Sequence, residues 1–247
     1  MAYEEPQEQL RRSCLLVPAD NPGQLKGASR FPADELILDL ADVDRADKDT
    51  AREAIVETLS AHAYGEPVVS VRVNPIDSMW AYRDVVDVVE RVGDFVDCIT
   101  VPSVRSPSDV EFVDNLLRMI EERIDLAHAI GIEAQIDSAQ GLTLVDEIAI
   151  AADRLEALVF DAAGMAASLG TAIAAGADAQ DILHTVRMTL LVAARTAGLQ
   201  AVDAYGTQIR GDAYRAAADR SRTLGYDGAW CRHPEQVGQA NEIFSAL

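Results

Sequence analysis

Five residues have the chemistry to handle a hard cation and an anionic substrate: the carboxylates Asp39, Asp42, Asp137 and Asp161 and the guanidinium of Arg72. Each lies at or just past the end of a short apolar run, in ELILDLAD, VVSVRVN, IEAQID and ALVFDA. Carboxylate oxygens are the ligands Mg²⁺ prefers, and an arginine facing them neutralises charge on a substrate. Asn74, Ser103 and His233 hold comparable strand-end positions. Plainer readings stand beside these. Arg72 can form a structural ion pair with Asp39 or Asp42, since an interior charge must be paired. Asp137, just before SAQG, can cap a helix, Asp161 can cap the turn after its strand, and His233 can brace the turn at Pro234.

Eight apolar runs must position these groups: 14–18, 35–40, 68–74, 98–104, 132–137, 157–162, 200–205 and 228–233. Helical spacing between them predicts helices at 22–30, 47–63, 78–92, 107–129, 140–153, 179–197, 211–224 and 234–245. Ser106-Pro107-Ser108-Asp109 and Pro234-Glu235 are start signals, and Gly131, Gly198 and Gly225 sit where helices should stop. Eight strand-helix pairs, with strands apolar on both faces, predict an α/β fold, the (β/α)8 TIM barrel. An open doubly wound sheet is the alternative, but no GxGxxG turn follows the first strand. In a barrel the C-terminal strand ends carry the chemistry, which selects the residues above. One domain over 1–247 is expected, with 1–11 as a loose N-terminal segment and Gly164–Ala179 as the one long connection.

Forty-one acids against 21 bases give a net charge of −20, which repels phosphate backbones and excludes nucleic acid as an expected partner. Only Lys26 and Lys48 are lysines, the balance of a protein from a high-salt cytoplasm or a GC-rich genome. No apolar run approaches the ~18 residues of a membrane span, and the start MAYEEPQEQLRRS is not a signal peptide, so a cytoplasmic protein is expected. Cys14, Cys98 and Cys231 lie in separate apolar runs and are expected to be reduced and packed. His62, His128 and His184 lack ligand spacing, and Trp80 and Trp230 read as packing residues.

Taken in order, RRSCLLVPADNP, ELILDLADV with DKDTAR, SVRVN, ITVPSV, QIDSAQG, FDAAGMAASLG and GYDGAWCRHPEQV resemble the citrate lyase β-subunit family, also called the HpcH/HpaI aldolase family, from about residue 12 to 244. The resemblance implies a magnesium-dependent barrel, trimeric or hexameric. Its reaction makes or breaks a carbon-carbon bond between an acyl-thioester enolate and an oxo acid, on citryl, malyl, methylmalyl or citramalyl thioesters.

Residue by residue, Arg72 matches the family arginine that contacts substrate oxygen and the enolate. Asp39 and Asp42 match two aspartates that order metal-bound water, with Ala41 in place of the glutamate between them. Asp137 replaces the glutamate metal ligand, shorter by one methylene. Gly164 stands where the second metal-binding aspartate belongs, and Asp161, three residues earlier, is the candidate substitute. Ser103 replaces a lysine and Ser168 an aspartate. Arg12 and Lys26 match basic residues near the carrier phosphates, and His233-Pro234 matches the HPxQ segment. Asn74 completes the expected substrate-binding set with Arg12, Lys26 and Ser103.

The expected function is therefore a Mg²⁺-dependent carbon-carbon lyase acting on a 3-hydroxy acyl-CoA thioester, with Arg72, Asp39 and Asp42 catalytic and Asp137 and Asp161 holding the metal. The alternatives are an acyl-CoA thioesterase variant and a non-catalytic homologue that binds acyl-CoA or supports a catalytic paralogue. Relatives borrow an aspartate from a neighbour's C-terminal lid, and with the chain ending at Leu247 no lid is expected.

Overall fold

A computed structural model describes residues 10–61, 64–171 and 177–245, and the side chains of these except 177–182. Its eight strands are β1 (Ser13–Pro18), β2 (Glu35–Asp39), β3 (Val68–Arg72), β4 (Cys98–Val101), β5 (Gly131–Ile136), β6 (Leu155–Asp161), β7 (Gln200–Ala204) and β8 (Gly228–Cys231). All pair in parallel and in chain order, and β8 closes on β1, so the expected (β/α)8 barrel is the fold. The helices are α1 (Pro22–Gly27), α2 (Lys48–Ala61), α3 (Ala81–Val92), α4 (Pro107–Ile124), α5 (Ala139–Thr143), α6 (Val145–Ile148), α7 (Ala162–Ser168), α8 (Ala177–Ala197), α9 (Gly211–Leu224) and α10 (Glu235–Ser245).

Period-two alternation explains what each strand delivers. Leu36 and Leu38 of β2 join the large apolar layer between sheet and helices. Glu35, Ile37 and Asp39 take the other face. Ile37 belongs to the small cluster of Cys14, Leu16, Val159, Val202, Ala204 and Trp230 that fills the barrel interior. An apolar plug thus separates two polar ends, with Asp39 at the C-terminal mouth and Glu35 at the N-terminal floor.

The floor corrects one expectation. Arg11, expected in a loose segment, is 3% exposed and donates to Glu133 (2.6 Å), Glu156 (2.5 Å) and Gln200 (2.8 Å). The chain reaches this position because residue 228 is glycine: a Cβ there would lie 2.8 Å from the Arg12 Cα and overlap the Arg11 carbonyl.

Helix boundaries differ from expectation where local geometry overrides periodicity. The α4 start signal holds, with Asp109 accepting from the backbone of Arg105 (2.7 Å) and Ser106 (3.1 Å). Its end comes at Ile124, not 129, because Asp125 turns left-handed (φ 55°). Gly131 opens β5 and stops no helix, whereas Gly225 caps α9 at φ 110°. The 140–153 helix breaks at Leu144 into α5 and α6. The long connection after β6 begins as helix α7, because Asp161 caps it through Ala163 N (2.9 Å) and Gly164 N (3.1 Å). His62 lies outside the described residues. Cys14, Cys98 and Cys231 are buried free thiols.

Candidate active site

Asp39 and Arg72 are the last residues of neighbouring strands and pair in register, so both emerge at the mouth. Arg72 Nη1 meets Asp39 Oδ1 (3.1 Å) and Oδ2 (3.2 Å) and also Asp42 Oδ1 (3.2 Å). Its Nε donates to Gln135 Oε1 (3.0 Å), and Gln135 Nε2 donates to Asp161 Oδ2 (2.9 Å). One hydrogen-bonded chain therefore crosses the mouth from β2 through β3 and β5 to β6. Among the described residues Arg72 Nη2 makes no hydrogen bond to protein, which leaves its two N–H donors for an incoming anion.

Asp137 follows β5 at the same end. Ser103, just beyond β4 in a left-handed conformation (φ 54°) uncommon for serine, donates to its Oδ2 at 2.5 Å. The helix cap that could have claimed Asp137 is made instead by Ser138, which accepts from Gly141 N, and Ser168 accepts from Ala139 N (3.0 Å). Asp161 is more committed than a metal ligand was expected to be. Oδ1 caps α7 and Oδ2 receives Gln135, so its side chain first positions its neighbours.

Electrostatics tie these groups together. Burial pushes the Asp39 carboxyl up, with Arg72 pulling the other way and Asp42 adding to the rise. For Asp42 burial also acts upward, but Arg72 and Arg232 outweigh it and hold the group below its ordinary value. The Asp137 carboxyl is raised by burial and further by the charge of Asp161, against the Ser103 hydrogen bond and Arg72. Arg72 thus acts on Asp137 as well as on Asp39, in keeping with its hydrogen bond to Gln135, which joins the third and fifth strands at the mouth.

Two other expectations, those for Arg12 and Asn74, are corrected, while Lys26 and His233 stand where their plainer readings put them. Arg12 lies at the opposite end of the barrel, where the strand it precedes begins, bound to Asp34 (2.7 Å) and Ser245 (2.5 Å). The Asn74 amide turns away to Asp84 (2.6 Å), which also holds Arg52 of α2 (2.9 Å). Lys26 is an exposed residue of α1. His233 braces its turn: its backbone N–H donates to Gln236 Oε1 (3.0 Å), whose amide reaches Ile209 O (2.9 Å).

Sequence reasoning missed three residues. Gln135 was visible as a polar residue two before Asp137, hence on the inward face. Arg232, next to the more conspicuous His233, reaches Asp42 Oδ2 at 3.4 Å and Tyr205 O at 3.1 Å. Lys48, 4% exposed, ties down the loop carrying Asp39 and Asp42 through Leu40 O (2.6 Å) and Ala41 O (3.1 Å).

Gly164 answers whether the missing carboxylate could simply be put back. A Cβ at residue 164 would lie 2.7 Å from Asp137 Cβ and 3.2 Å from Asp137 O. Neither atom can swing aside. We predict that Gly164→Ala lowers stability in urea melts despite the ~1 kcal/mol helix-propensity gain of alanine, because overpacking costs about 1–3 kcal/mol. A stabilised variant would show that Asp137 yields.

Do these donors suit Mg²⁺? Among the described residues no group of three or more metal-ligating side chains converges. Yet the mouth holds two carboxylates whose charges oppose one another, and Asp137 Oδ1 takes no hydrogen bond among the described residues. Mg²⁺ usually takes only one or two protein carboxylates and completes its shell with water and substrate. The oxygen donors present fit such a cation, Asp137 through its unbonded Oδ1, whereas both Asp161 oxygens already accept hydrogen bonds.

A closed parallel barrel with carboxylates and a guanidinium joined across its C-terminal mouth defines a (β/α)8 enzyme architecture with an anion-handling site. Residues 12–234 match the HpcH/HpaI aldolase/citrate lyase family, and the chain belongs to that family. It is 36% identical over 250 residues to the L-malyl-CoA/beta-methylmalyl-CoA lyase of Cereibacter sphaeroides, covering 95% of this chain and 79% of that protein. It is 30% identical over 243 residues to the citrate lyase subunit beta of Leuconostoc mesenteroides subsp. cremoris, covering 96% and 78%. Among solved structures, the citrate lyase beta subunit of Mycobacterium tuberculosis complexed with oxaloacetate and magnesium shares the fold with a TM-score of 0.76 at 26% identity, covering 96% of this chain and 98% of that one. No helix among the described residues is long and apolar enough to cross a membrane.

Proposed function

We propose that this protein is a Mg²⁺-assisted carbon-carbon lyase that cleaves a 3-hydroxy acyl-CoA thioester of the malyl or methylmalyl type into an acyl thioester and an oxo acid. The observation that carries the reading is Arg72, held rigid at the mouth by Asp39 and Gln135, with the two N–H groups of Nη2 unspent among the described residues. The 36% identity to a malyl-CoA lyase supports the substrate class.

In cleavage, the bond between the α-carbon and the carbinol carbon breaks. Its electron pair moves into the thioester carbonyl, the hydroxyl gives up its proton, and the resulting enolate is then protonated at carbon. Arg72 Nη2 donates to the thioester oxygen as that oxygen becomes negative. Because Asp39 and Gln135 have already fixed the guanidinium, no reorganisation is needed as the charge develops. Asp137, steadied by Ser103, would hold the metal, which when bound would supply Lewis-acid polarisation. Gln135 links Arg72 to Asp161, and Lys48 fixes the Asp39–Asp42 loop. Assembly as a trimer or hexamer and a cytoplasmic location belong to this proposal, the former read by light scattering.

The test is calorimetric titration with Mg²⁺ or Mn²⁺ at high salt, alongside release of oxo acid from malyl-CoA. Saturable binding that Asp137→Ala weakens at least about tenfold is expected, the scale of losing a carboxylate ligand. Absence of any saturable site in the wild type, with or without oxo acid, sinks the lyase reading. One observation, glycine at 164, favours a second reading in which the barrel binds the thioester without cleaving it. Metal and acyl-CoA binding without turnover would select that one.

A further inference from the structure

Asp42 is bound by two arginines at once. Its Oδ1 lies 3.2 Å from Arg72 Nη1 and its Oδ2 3.4 Å from Arg232 Nη1. Both guanidinium carbons also lie over the indole of Trp230, at 5.4 Å and 5.9 Å from its centroid. Trp230 is 1% exposed and belongs to the apolar plug, so it forms a fixed, dry floor beneath two cations. Two like charges brought together over one ring need an anion between them.

The occupant is unlike its surroundings. The Arg72 and Arg232 side chains are 7% and 14% exposed, whereas Asp42 is 56% exposed. Asp42 regains hydration when it leaves, and an incoming carboxylate replaces its two ion pairs, so the exchange is one anion for another. Arg72 then keeps Asp39 and Gln135, whereas Arg232 keeps only the neutral carbonyl of Tyr205 and is left wanting an anion. With Arg72 Nη2 assigned to the thioester oxygen, the carboxylate has the Nη1 groups that Asp42 vacates and Arg232 Nη2, which makes no hydrogen bond to protein among the described residues.

We propose that Arg72 and Arg232 form a carboxylate seat at the barrel mouth, that Asp42 fills it in the free protein, and that the carboxylate of the oxo acid portion of the substrate displaces Asp42. Arg232 is thereby a specificity-determining residue, and Asp42 is an internal competitor. The identity of the ligand rests on the lyase reading; the seat itself rests on the geometry of three side chains and one ring.

The two partners give effects of opposite sign. Pyruvate, a 2-oxo acid with the same carboxylate-carbonyl unit as the glyoxylate that malyl and methylmalyl thioesters release, is titrated calorimetrically into the full chain in the presence of a chelator, with methyl pyruvate as the uncharged control. Asp42→Asn should bind pyruvate about tenfold more tightly than wild type, and Arg232→Gln at least about tenfold more weakly, the scale of gaining or losing one hydrogen bond to a charged group. Methyl pyruvate should not bind. Asp42 is an exposed loop residue, so its variant reports even if Arg232→Gln fails to fold. A weaker or unchanged affinity in Asp42→Asn overturns the proposal, as does pyruvate binding at wild-type strength in a folded Arg232→Gln. Failure of the lyase reading shows separately: malyl-CoA is then left intact with Mg²⁺ present while the opposite-signed pyruvate pattern stands.

Discussion

Replacing Arg72 with methionine should abolish cleavage and destabilise the fold by about 3–5 kcal/mol, the cost of leaving a buried charge without its partner. Asp39 is 1% exposed, and its remaining hydrogen bond from Ala41 N (2.9 Å) does not replace a cation. The pH dependence has a definite sign. Burial already raises the Asp39 carboxyl above its ordinary value, and Arg72 is the group that opposes the rise. Without Arg72 the folded protein holds a proton that the unfolded chain releases. Stability then falls as pH climbs from the ordinary aspartate range to the folded pKa. Urea melts should therefore show a larger loss at pH 8 than at pH 5. The double variant Arg72→Met/Asp39→Asn separates the two roles, since it removes the stranded charge while keeping an acceptor for Ala41. It should recover most of the stability and none of the activity. Arg72→Lys keeps a charge but not the fork that binds Asp39 and Gln135 together, and should lower kcat by about 10²–10³. Cleavage by Arg72→Met at more than a few per cent of the wild-type rate would remove this residue from the chemistry.

The barrel was legible because its strands are buried on both faces, so each is a continuous apolar run, and the runs recur with helical segments between them. The interior charges could not be read the same way. Glu35 and Asp39 share one face of β2, yet one faces the floor and the other the mouth, on either side of Ile37. Only a strand's direction in the closed sheet tells these ends apart. Arg12 failed on that point: its basic character matched a phosphate contact, but a residue preceding β1 must lie at the floor end.

At the mouth, the residue types were readable and their allegiances were not. Asp161 reads from its position as either a cap or a ligand, and its two oxygens divide the work between α7 and Gln135. Asn74 looked like a substrate contact by position, but its amide satisfies Asp84, whose other oxygen holds Arg52; that bond needs α2 and α3 packed side by side. Gln135 and Arg232 were missed because neither fits a ligand pattern alone. Each acquires meaning from a residue distant in sequence, Arg72 for one (63 positions away) and Asp42 for the other (190 positions away).

Arg11→Met should be the most damaging change away from the mouth, at about 3–5 kcal/mol, or roughly 10 °C in Tm for a chain of this size. The guanidinium is the counter-charge to a floor that contains Glu133, Glu156 and, at 3.9 Å, Glu35. Burial alone would depress its pKa, and the surrounding acids more than reverse that. Glu35 is the member of this cluster that the fold leaves least satisfied. Among the described residues both its carboxylate oxygens lack a hydrogen bond, and burial, with Glu133 adding to it, raises its pKa well above the usual range. A raised acid stabilises the fold below the ordinary glutamate pKa. That contribution is lost as pH rises toward the folded value, by about 1.4 kcal/mol for each pH unit that separates the two. Glu35→Gln should therefore be more stable than wild type at pH 8 and indistinguishable from it near pH 4. Because Arg11 opposes the rise at Glu35, Arg11→Met should steepen the alkaline loss, and adding Glu35→Gln should flatten it again. Thermal melts of the three variants between pH 4 and 8 decide the matter, and a Glu35→Gln protein with the wild-type slope would mean that Glu35 is ionised inside the barrel.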